Sequence, residues 1–277
     1  MRMNTFSVLL LSTMIPDQSY SLSDSPEPGQ ERRKEMAAFT TILWDLDQTI
    51  LDFKKSMDYA LRGSFRQLHL SIDEEKIRLY SDINDSYWLR FERGEITKDE
   101  VLLGRFRTFY ERLGIVDKAP EEIAELYQNA LGEVYFFRDK ADELTLQLKE
   151  KGYRQYIITN GVHATQAKKV RLSGLERIMD GVFVSELIGY PKPQKEYFDA
   201  CFAMLPGVAR KECILVGDSI TSDMQGGVNA GVATCWYNPD RRPAPSDLPI
   251  DYEIGDLWEL LPILQERIPC QNQQIKN

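Results

Sequence analysis

The sequence predicts an α/β fold, a doubly wound parallel sheet with an inserted α-helical cap. From residue 41 onward, short apolar runs of strand length alternate with segments of helical character. Runs that are apolar at every position are typical of strands buried on both faces, as in parallel sheets. Residues 47–154 contain no comparable run and have helical character, and this interruption predicts the cap.

Six segments have the length and composition of strands. They are residues 41–46, 155–159, 181–185, 213–217, 233–237 and, more weakly, 252–254. Helices are predicted before and between the later strands, over residues 142–153, 163–173, 195–204 and 223–230. This alternation of strand and helix favours a parallel sheet with helices on both of its faces.

The cap is predicted over residues 54–138, because a connection of that length needs structure of its own. Apolar side chains recur there mostly at three- and four-residue spacing. They are Met57, Leu61, Phe65 and Leu68, then Ile83, Tyr87, Leu89 and Phe91, and finally Leu102, Phe106, Phe109 and Leu113. The α/β core is accordingly predicted over residues 39–53 and 139–267.

Residues 1–38 are predicted to be a disordered extension and residues 268–277 a C-terminal tail. Residues 16–35 are polar and lack periodicity, and the character of the sequence changes at Met36, which we expect to be the biological start. No apolar run approaches the roughly 20 residues of a membrane helix, so no membrane partner is expected.

Net charge and cysteine spacing exclude further classes of function. The formal net charge of -9 disfavours binding to nucleic acid polymers, whose phosphates require a basic surface. The four cysteines show no C-x-x-C spacing, which predicts reduced, mostly buried thiols in a cytoplasmic protein. A small phosphorylated metabolite remains a compatible partner.

Polar residues gather at the predicted carboxyl ends of the strands, which form the ligand-binding edge of an open α/β sheet. They are Asp45, Asp47, Thr159, Asn160, Lys192, Asp218 and Asp223. Asp45 and Asp47 are two positions apart, so on an extended segment both side chains point to the same side. The surplus of carboxylates favours a hard divalent cation such as Mg²⁺.

Four of these stretches, "DLDQT", "TNG", "KP" and "GDSITSDMQGGVNAG", resemble in order the four motifs of haloacid dehalogenase-like (HAD) phosphohydrolases. More narrowly, the chain is similar to the bacterial pyrimidine 5′-nucleotidases of that superfamily. The stretches "FERGEIT", "GRF", "GYPKPQKEYFDA" and "GGVNAGVATCWYN" carry this second resemblance. Gln48 departs from the pattern, because many relatives have Gly there.

The resemblance implies a role for each residue. Asp45 would be the nucleophile that forms an aspartyl-phosphate, and Asp47 the general acid and then the general base. Mg²⁺, or Mn²⁺ or another divalent cation in its place, would bind the carboxylates of Asp45 and Asp218 and the main-chain carbonyl of Asp47. Asp223 would orient metal-bound water or Lys192, and Lys192 would neutralise charge shared between Asp45 and the phosphate.

Thr159 and the main-chain amide of Asn160 would hold phosphate oxygens. Phe53 and Trp88 are candidates for stacking on a nucleobase, and Arg105 is a candidate for contacting a base carbonyl.

Three functions remain open. The first is a Mg²⁺-dependent phosphatase of pyrimidine nucleoside 5′-monophosphates. The second keeps this chemistry but acts on a sugar phosphate, an N-acylneuraminate phosphate or a broad range of phosphomonoesters, because the cap sets the substrate. The third is a non-catalytic metal- or phosphate-binding protein, which Asp47 argues against because a binder needs no general acid. The oligomeric state is left open.

Overall fold

The computed structural model describes residues 38–266 and contains a six-stranded parallel sheet in that range. The strands are β1 (Thr41–Trp44), β2 (Arg154–Thr159), β3 (Gly181–Val184), β4 (Cys213–Gly217), β5 (Ala233–Tyr237) and β6 (Tyr252–Ile254). Their order in the sheet is β3-β2-β1-β4-β5-β6, and every neighbouring pair is parallel. The predicted α/β sheet is confirmed, although β1 ends two residues earlier than expected.

Helices surround this sheet and extend from it. They are α1 (Phe53–Gln67), α2 (Glu74–Glu92), α3 (Lys98–Leu113), α4 (Pro120–Leu131), α5 (Ala141–Glu150), α6 (His163–Leu172), α7 (Ser185–Ile188), α8 (Lys195–Ala203), α9 (Gln225–Ala230) and α10 (Leu260–Glu266). A turn of π-helix, Ile220–Met224, precedes α9. The predicted helix at 223–230 therefore begins as a wider turn.

Both faces of the sheet are buried, because successive side chains of a strand point to opposite sides. In β1, Ile42 and Trp44 pack with residues of α5 and α10 on one face. Leu43 packs with residues of α8 and α9 on the other. The fold is therefore doubly wound. The chain proceeds from β1 to neighbours on both sides, so the carboxyl end of β1 lies at the topological switch point, where such sheets bind ligands.

Helices α1 to α4 share an apolar cluster of their own, as expected for a cap. Its centre is aromatic: the ring of Tyr80 lies 5.1 Å from that of Phe106, 5.2 Å from that of Phe109 and 5.5 Å from that of Tyr127. Helix α1 begins at Phe53, where the Asp52 carboxylate accepts a hydrogen bond from the backbone as N-cap.

Helix α2 is present as its apolar spacing predicts, but it buries different residues most deeply. Its buried residues are Ile77, Tyr80 and Asn84. The predicted residues, Ile83, Tyr87, Leu89 and Phe91, are all half-buried or exposed. Ile83 is half-buried against the apolar cluster of the cap, whereas Leu89 lines a cavity above the sheet together with the neighbouring Trp88.

The chain leaves and re-enters the core through two segments that run side by side. The Asp52 amide donates to the Phe136 carbonyl at 2.7 Å, and the Arg138 amide donates to the Ile50 carbonyl at 3.0 Å. Arg138 also donates through Nε to the Tyr237 hydroxyl at 3.0 Å, which ties the return segment to β5.

Several predictions concern residues that lie outside the described range of 38–266. They include the N-terminal extension up to residue 37, the start at Met36, the C-terminal tail and Cys270. Within the range, Cys201, Cys213 and Cys235 are buried with free thiols. None of the helices in the described part of the chain combines the length and apolar character needed to cross a membrane.

Candidate active site

Lys192 joins the end of β1 to the loop after β4. Its ammonium nitrogen lies 2.7 Å from a carboxylate oxygen of Asp45 and 2.7 Å from one of Asp223. The third ammonium hydrogen goes to the Ile158 carbonyl, at 3.0 Å. Lys192 is 1% exposed, and all three of its donors are used. It therefore compensates two buried carboxylates and fixes the orientation of Asp45.

Asn160 positions this lysine from the end of β2. Its side-chain amide donates to the Lys192 carbonyl at 2.9 Å and accepts from the Lys192 backbone N–H at 2.9 Å. The amide nitrogen also approaches the Ser222 hydroxyl at 3.4 Å. The Asn160 side chain thus connects the loops after β2 and β4 to the segment that precedes α8.

Three carboxylates, those of Asp45, Asp218 and Asp223, form a compact cluster in which one oxygen of each lies within 4.8 Å of the others. Both oxygens of Asp223 are engaged, one by Lys192 and the other by the Ser219 amide at 3.1 Å. Neither oxygen of Asp218 accepts a hydrogen bond within residues 38–266, and Lys192 takes only one oxygen of Asp45. Free oxygens of Asp45 and Asp218 therefore remain for a ligand.

Burial and mutual repulsion shape the electrostatics of the cluster. Burial, reinforced by the nearby Asp223, raises the pKa of Asp45 from 3.8 to about 7 although Lys192 opposes the change. Burial and the charges of Asp45 and Asp223 raise the pKa of Asp218 well above its usual value. One lysine does not offset three carboxylates. An oxygen-binding divalent cation fits this donor set, because it would supply the missing positive charge.

Asp47 lies outside the carboxylate cluster. One of its oxygens accepts from Lys169 at 2.7 Å and the other from Gln166 at 2.6 Å. Both partners belong to α6, and the sequence reasoning did not single them out. The available signal was two polar residues three positions apart, which places them on one side of the helix.

Thr159 ends β2 beside this pair. Its hydroxyl oxygen accepts from the Gly161 amide at 3.0 Å and from the Gln166 side chain at 3.1 Å. With both lone pairs engaged, the hydroxyl is left to act as a donor. It borders the same cavity as Asp45 and Asp47.

A cavity of about 460 Å³ lies above these groups, in the size range of small-molecule sites. Asp45, Asp47, Thr159, Lys192 and Asp218 line it on the sheet side. Further lining residues come from the cap and from the loop after β5. They include Phe53, Asn84, Trp88, Leu89, Glu92, Pro239 and Arg242.

Two of the three residues predicted to contact a base line the cavity, and the third does not. Phe53 and Trp88 line the cavity. Arg105 does not: it is 2% exposed inside the cap and donates to the Asn84 side chain at 2.7 Å. Asn84, which lines the cavity, is therefore the group through which Arg105 can act. The roles of all three stay predictions.

Two cap residues contact loops of the core. Glu92, at the end of α2, accepts from the Ser219 hydroxyl at 3.1 Å and from the Thr221 hydroxyl. Lys98, at the start of α3, donates to the Gly161 carbonyl at 2.7 Å. Glu92 falls within the stretch "FERGEIT", so a sequence signal existed, but its partners could not be predicted.

The sheet order, the carboxylates at the switch point and the cap above them define a hydrolase class. Residues 39–231 match the haloacid dehalogenase-like hydrolase family, and the chain belongs to that family.

Similar proteins agree with this assignment. YfnB of Bacillus subtilis (strain 168), which carries the family name HAD-hydrolase, is 38% identical over 230 residues, covering 83% of this chain and 97% of YfnB. Its magnesium-bound crystal structure, described as revealing interdomain movement, superposes with a TM-score of 0.78 at 37% identity, covering 82% of this chain and 99% of that one.

Two similar proteins have a named activity. The pyrimidine 5′-nucleotidase PynA of Streptococcus pneumoniae (strain ATCC BAA-255 / R6) is 30% identical over 227 residues, covering 82% of this chain and 95% of PynA. The pyrimidine 5′-nucleotidase YjjG of Escherichia coli (strain K12) is 30% identical over 223 residues, covering 80% of this chain and 96% of YjjG.

Proposed function

We propose that this protein is a Mg²⁺-dependent phosphomonoester hydrolase that acts on pyrimidine nucleoside 5′-monophosphates. The observation that carries the chemistry is the fixed Asp45 carboxylate, held by Lys192 with one oxygen free and facing a cavity that Asp47 also lines. The activity of PynA and YjjG supports the choice of substrate.

In the first step, the free oxygen of Asp45 attacks phosphorus and the bond to the leaving oxygen breaks. Asp47, which carries a proton at this point, gives it to that oxygen and becomes the carboxylate that Lys169 and Gln166 hold, so that a neutral nucleoside leaves and an aspartyl-phosphate remains. In the second step, Asp47 takes a proton from water, whose oxygen attacks phosphorus, and the bond to Asp45 breaks. Inorganic phosphate leaves, and both aspartates return to their starting states.

The chain's own groups hold the phosphate during both steps. The Thr159 hydroxyl, with its lone pairs occupied, donates to a phosphate oxygen, and the Asn160 main-chain amide donates to another. Lys192 keeps Asp45 in line and offsets its charge. Mg²⁺, held by Asp45, Asp218 and the main-chain carbonyl of Asp47, would supply the remaining positive charge.

The cap provides the surface for the nucleoside. Phe53 and Trp88 line the cavity on the cap side, and the face of either ring offers a stacking surface for a flat base. Stacking of this kind is worth about 1–3 kcal/mol per base, enough to favour a nucleotide over a sugar phosphate of similar charge.

The test is phosphate release with Mg²⁺ over a panel of UMP, dUMP, dTMP, CMP, AMP, GMP and several sugar phosphates. We expect the wild type to prefer pyrimidine nucleotides. Asp45→Asn should release no phosphate from any substrate, and Asp142→Asn, which alters an exposed aspartate of α5, should keep both the activity and the preference. Phe53→Leu and Trp88→Leu should narrow the gap between nucleotides and sugar phosphates. If kcat/KM is highest on a sugar phosphate, the nucleotidase assignment is wrong. If no phosphate is released from any substrate, the proposed phosphatase activity is wrong.

A further inference from the structure

Helix α6 contributes a buried lysine and a buried glutamine to Asp47. Lys169 is fully buried, and Gln166 is 1% exposed. Their contacts of 2.7 and 2.6 Å engage both carboxylate oxygens of Asp47, so rotation of that side chain would break both hydrogen bonds.

Asp47 is the counter-ion of Lys169 within the described chain. Among residues 38–266, Lys169 forms its one ion pair with Asp47, and the Phe53 ring covers its ammonium at 5.6 Å. A buried charge is costly unless it is paired, so the fold keeps Lys169 inside only if Asp47 stays beside it. The neighbouring Lys168 forms no ion pair within that range, so the contact is specific to one face of α6.

Gly161 leaves the space that Gln166 occupies. A Cβ atom added at residue 161 would lie 1.8 Å from the Gln166 side-chain nitrogen and 2.6 Å from its amide carbon. Any other residue at 161 would therefore displace the amide that bonds both Asp47 and Thr159. The glycine of "TNG" is thus required by a contact that ends at Asp47.

We propose that Lys169 and Gln166 are positioning residues that hold the Asp47 carboxylate for its two proton transfers, and that Gly161 is glycine to admit Gln166. This inference rests on the proposed phosphatase chemistry. It predicts that loss of either contact weakens proton transfer while attack by Asp45 on phosphorus continues.

Two substrates with different leaving groups separate this role from a structural one. A nucleoside 5′-monophosphate loses an alkoxide, which needs a proton from Asp47. p-Nitrophenyl phosphate loses a phenolate that is stable without a proton, so its first step does not need Asp47 to act as an acid. Its second step still needs Asp47 as a base.

The variants are Lys169→Met and Gln166→Leu, with Lys169→Arg as the conservative replacement and Lys168→Met as the matched control. For Lys169→Met, we expect kcat/KM on UMP to fall about 100-fold, the lower range for general acid–base catalysis. On p-nitrophenyl phosphate, we expect Lys169→Met to release a burst of p-nitrophenolate at a rate within about threefold of the wild-type turnover rate. Slow turnover should follow, during which the phosphoenzyme accumulates. Lys169→Arg should recover most of the UMP activity, and Lys168→Met should match the wild type.

Gly161→Ala keeps the test decisive if Lys169→Met does not fold, because it displaces Gln166 without removing a buried charge. It should show the same pattern of lost UMP turnover and a retained burst. A wild type that is silent on both substrates would refute the proposed function itself. If the wild type is active on both substrates, variants that give no p-nitrophenolate burst, or that keep the wild-type kcat/KM on UMP, would refute only the positioning role.

Discussion

Asn160 and Lys192 exchange two hydrogen bonds of 2.9 Å, one from the Asn160 amide to the Lys192 carbonyl and one in the opposite direction. The family resemblance implies that the main-chain amide of Asn160 binds phosphate, and the side chain of this residue has a separate task. It fixes the backbone from which the Lys192 side chain reaches Asp45, so the placement of the Asp45 carboxylate, the proposed nucleophile, depends on an uncharged residue.

Replacing Asn160 with Asp should damage both stability and activity. In the wild type, the Asn160 side-chain N–H donates to the Lys192 carbonyl. The substitution puts a carboxylate oxygen in the place of this donor, so that two buried acceptors face each other. We expect a loss of about 1–3 kcal/mol in the free energy of unfolding, and lower kcat. Denaturant unfolding and phosphate release measure the two effects. Asn129→Asp, at an exposed position of α4, is the control, and equal behaviour of the two variants would contradict the account.

Asp218→Asn should make the protein more stable than the wild type without Mg²⁺ and less stable than the wild type with Mg²⁺. Burial and the charges of Asp45 and Asp223 raise the pKa of Asp218, so its ionised form opposes folding in metal-free protein. The variant should then have a higher Tm than the wild type without Mg²⁺. With Mg²⁺ at about 100 times its Kd, the wild type should gain about 2.7 kcal/mol and overtake it. An equal Mg²⁺ response in both proteins would place the metal elsewhere.

The difference in unfolding free energy between Glu92→Gln and the wild type should grow in favour of the variant as pH rises. Burial raises the pKa of Glu92 above 4.5, so the folded state favours its protonated form. The wild type therefore loses stability as pH rises from about 4.5 through the raised value, whereas the amide does not titrate. An amide oxygen still accepts from Ser219 and Thr221. Unfolding free energies at about pH 5 and pH 8 should show a gap in favour of the variant that widens with pH, and a gap that stays constant would contradict this.

The sheet and the edge that carries the site could be predicted because apolar runs mark buried parallel strands. Polar residues that follow such strands meet at one edge, which brings Asp45, Thr159 and Asp218 to the same cavity. Lys192 also contacts Asp45, a pairing that the family resemblance implied.

Contacts made by helix side chains could not be predicted, because they depend on how each helix packs. "KK" in α6 resembles a pair of solvated lysines, yet Lys169 is buried against Asp47. The end of α2 has apolar residues at core-like spacing, yet it borders the cavity. Arg105 was expected to contact substrate but lies inside the cap against Asn84.

In the proposed mechanism, Asp45 carries the phosphoryl group during turnover. Acid quenching during hydrolysis of p-nitrophenyl phosphate, followed by digestion and mass spectrometry, tests it most directly. We expect that the peptide containing Asp45 gains the mass of one phosphoryl group, that Lys169→Met increases the modified fraction, and that Asp45→Asn abolishes both the modification and the turnover. Turnover without a phosphorylated peptide, or with the phosphoryl group on another residue, would contradict it.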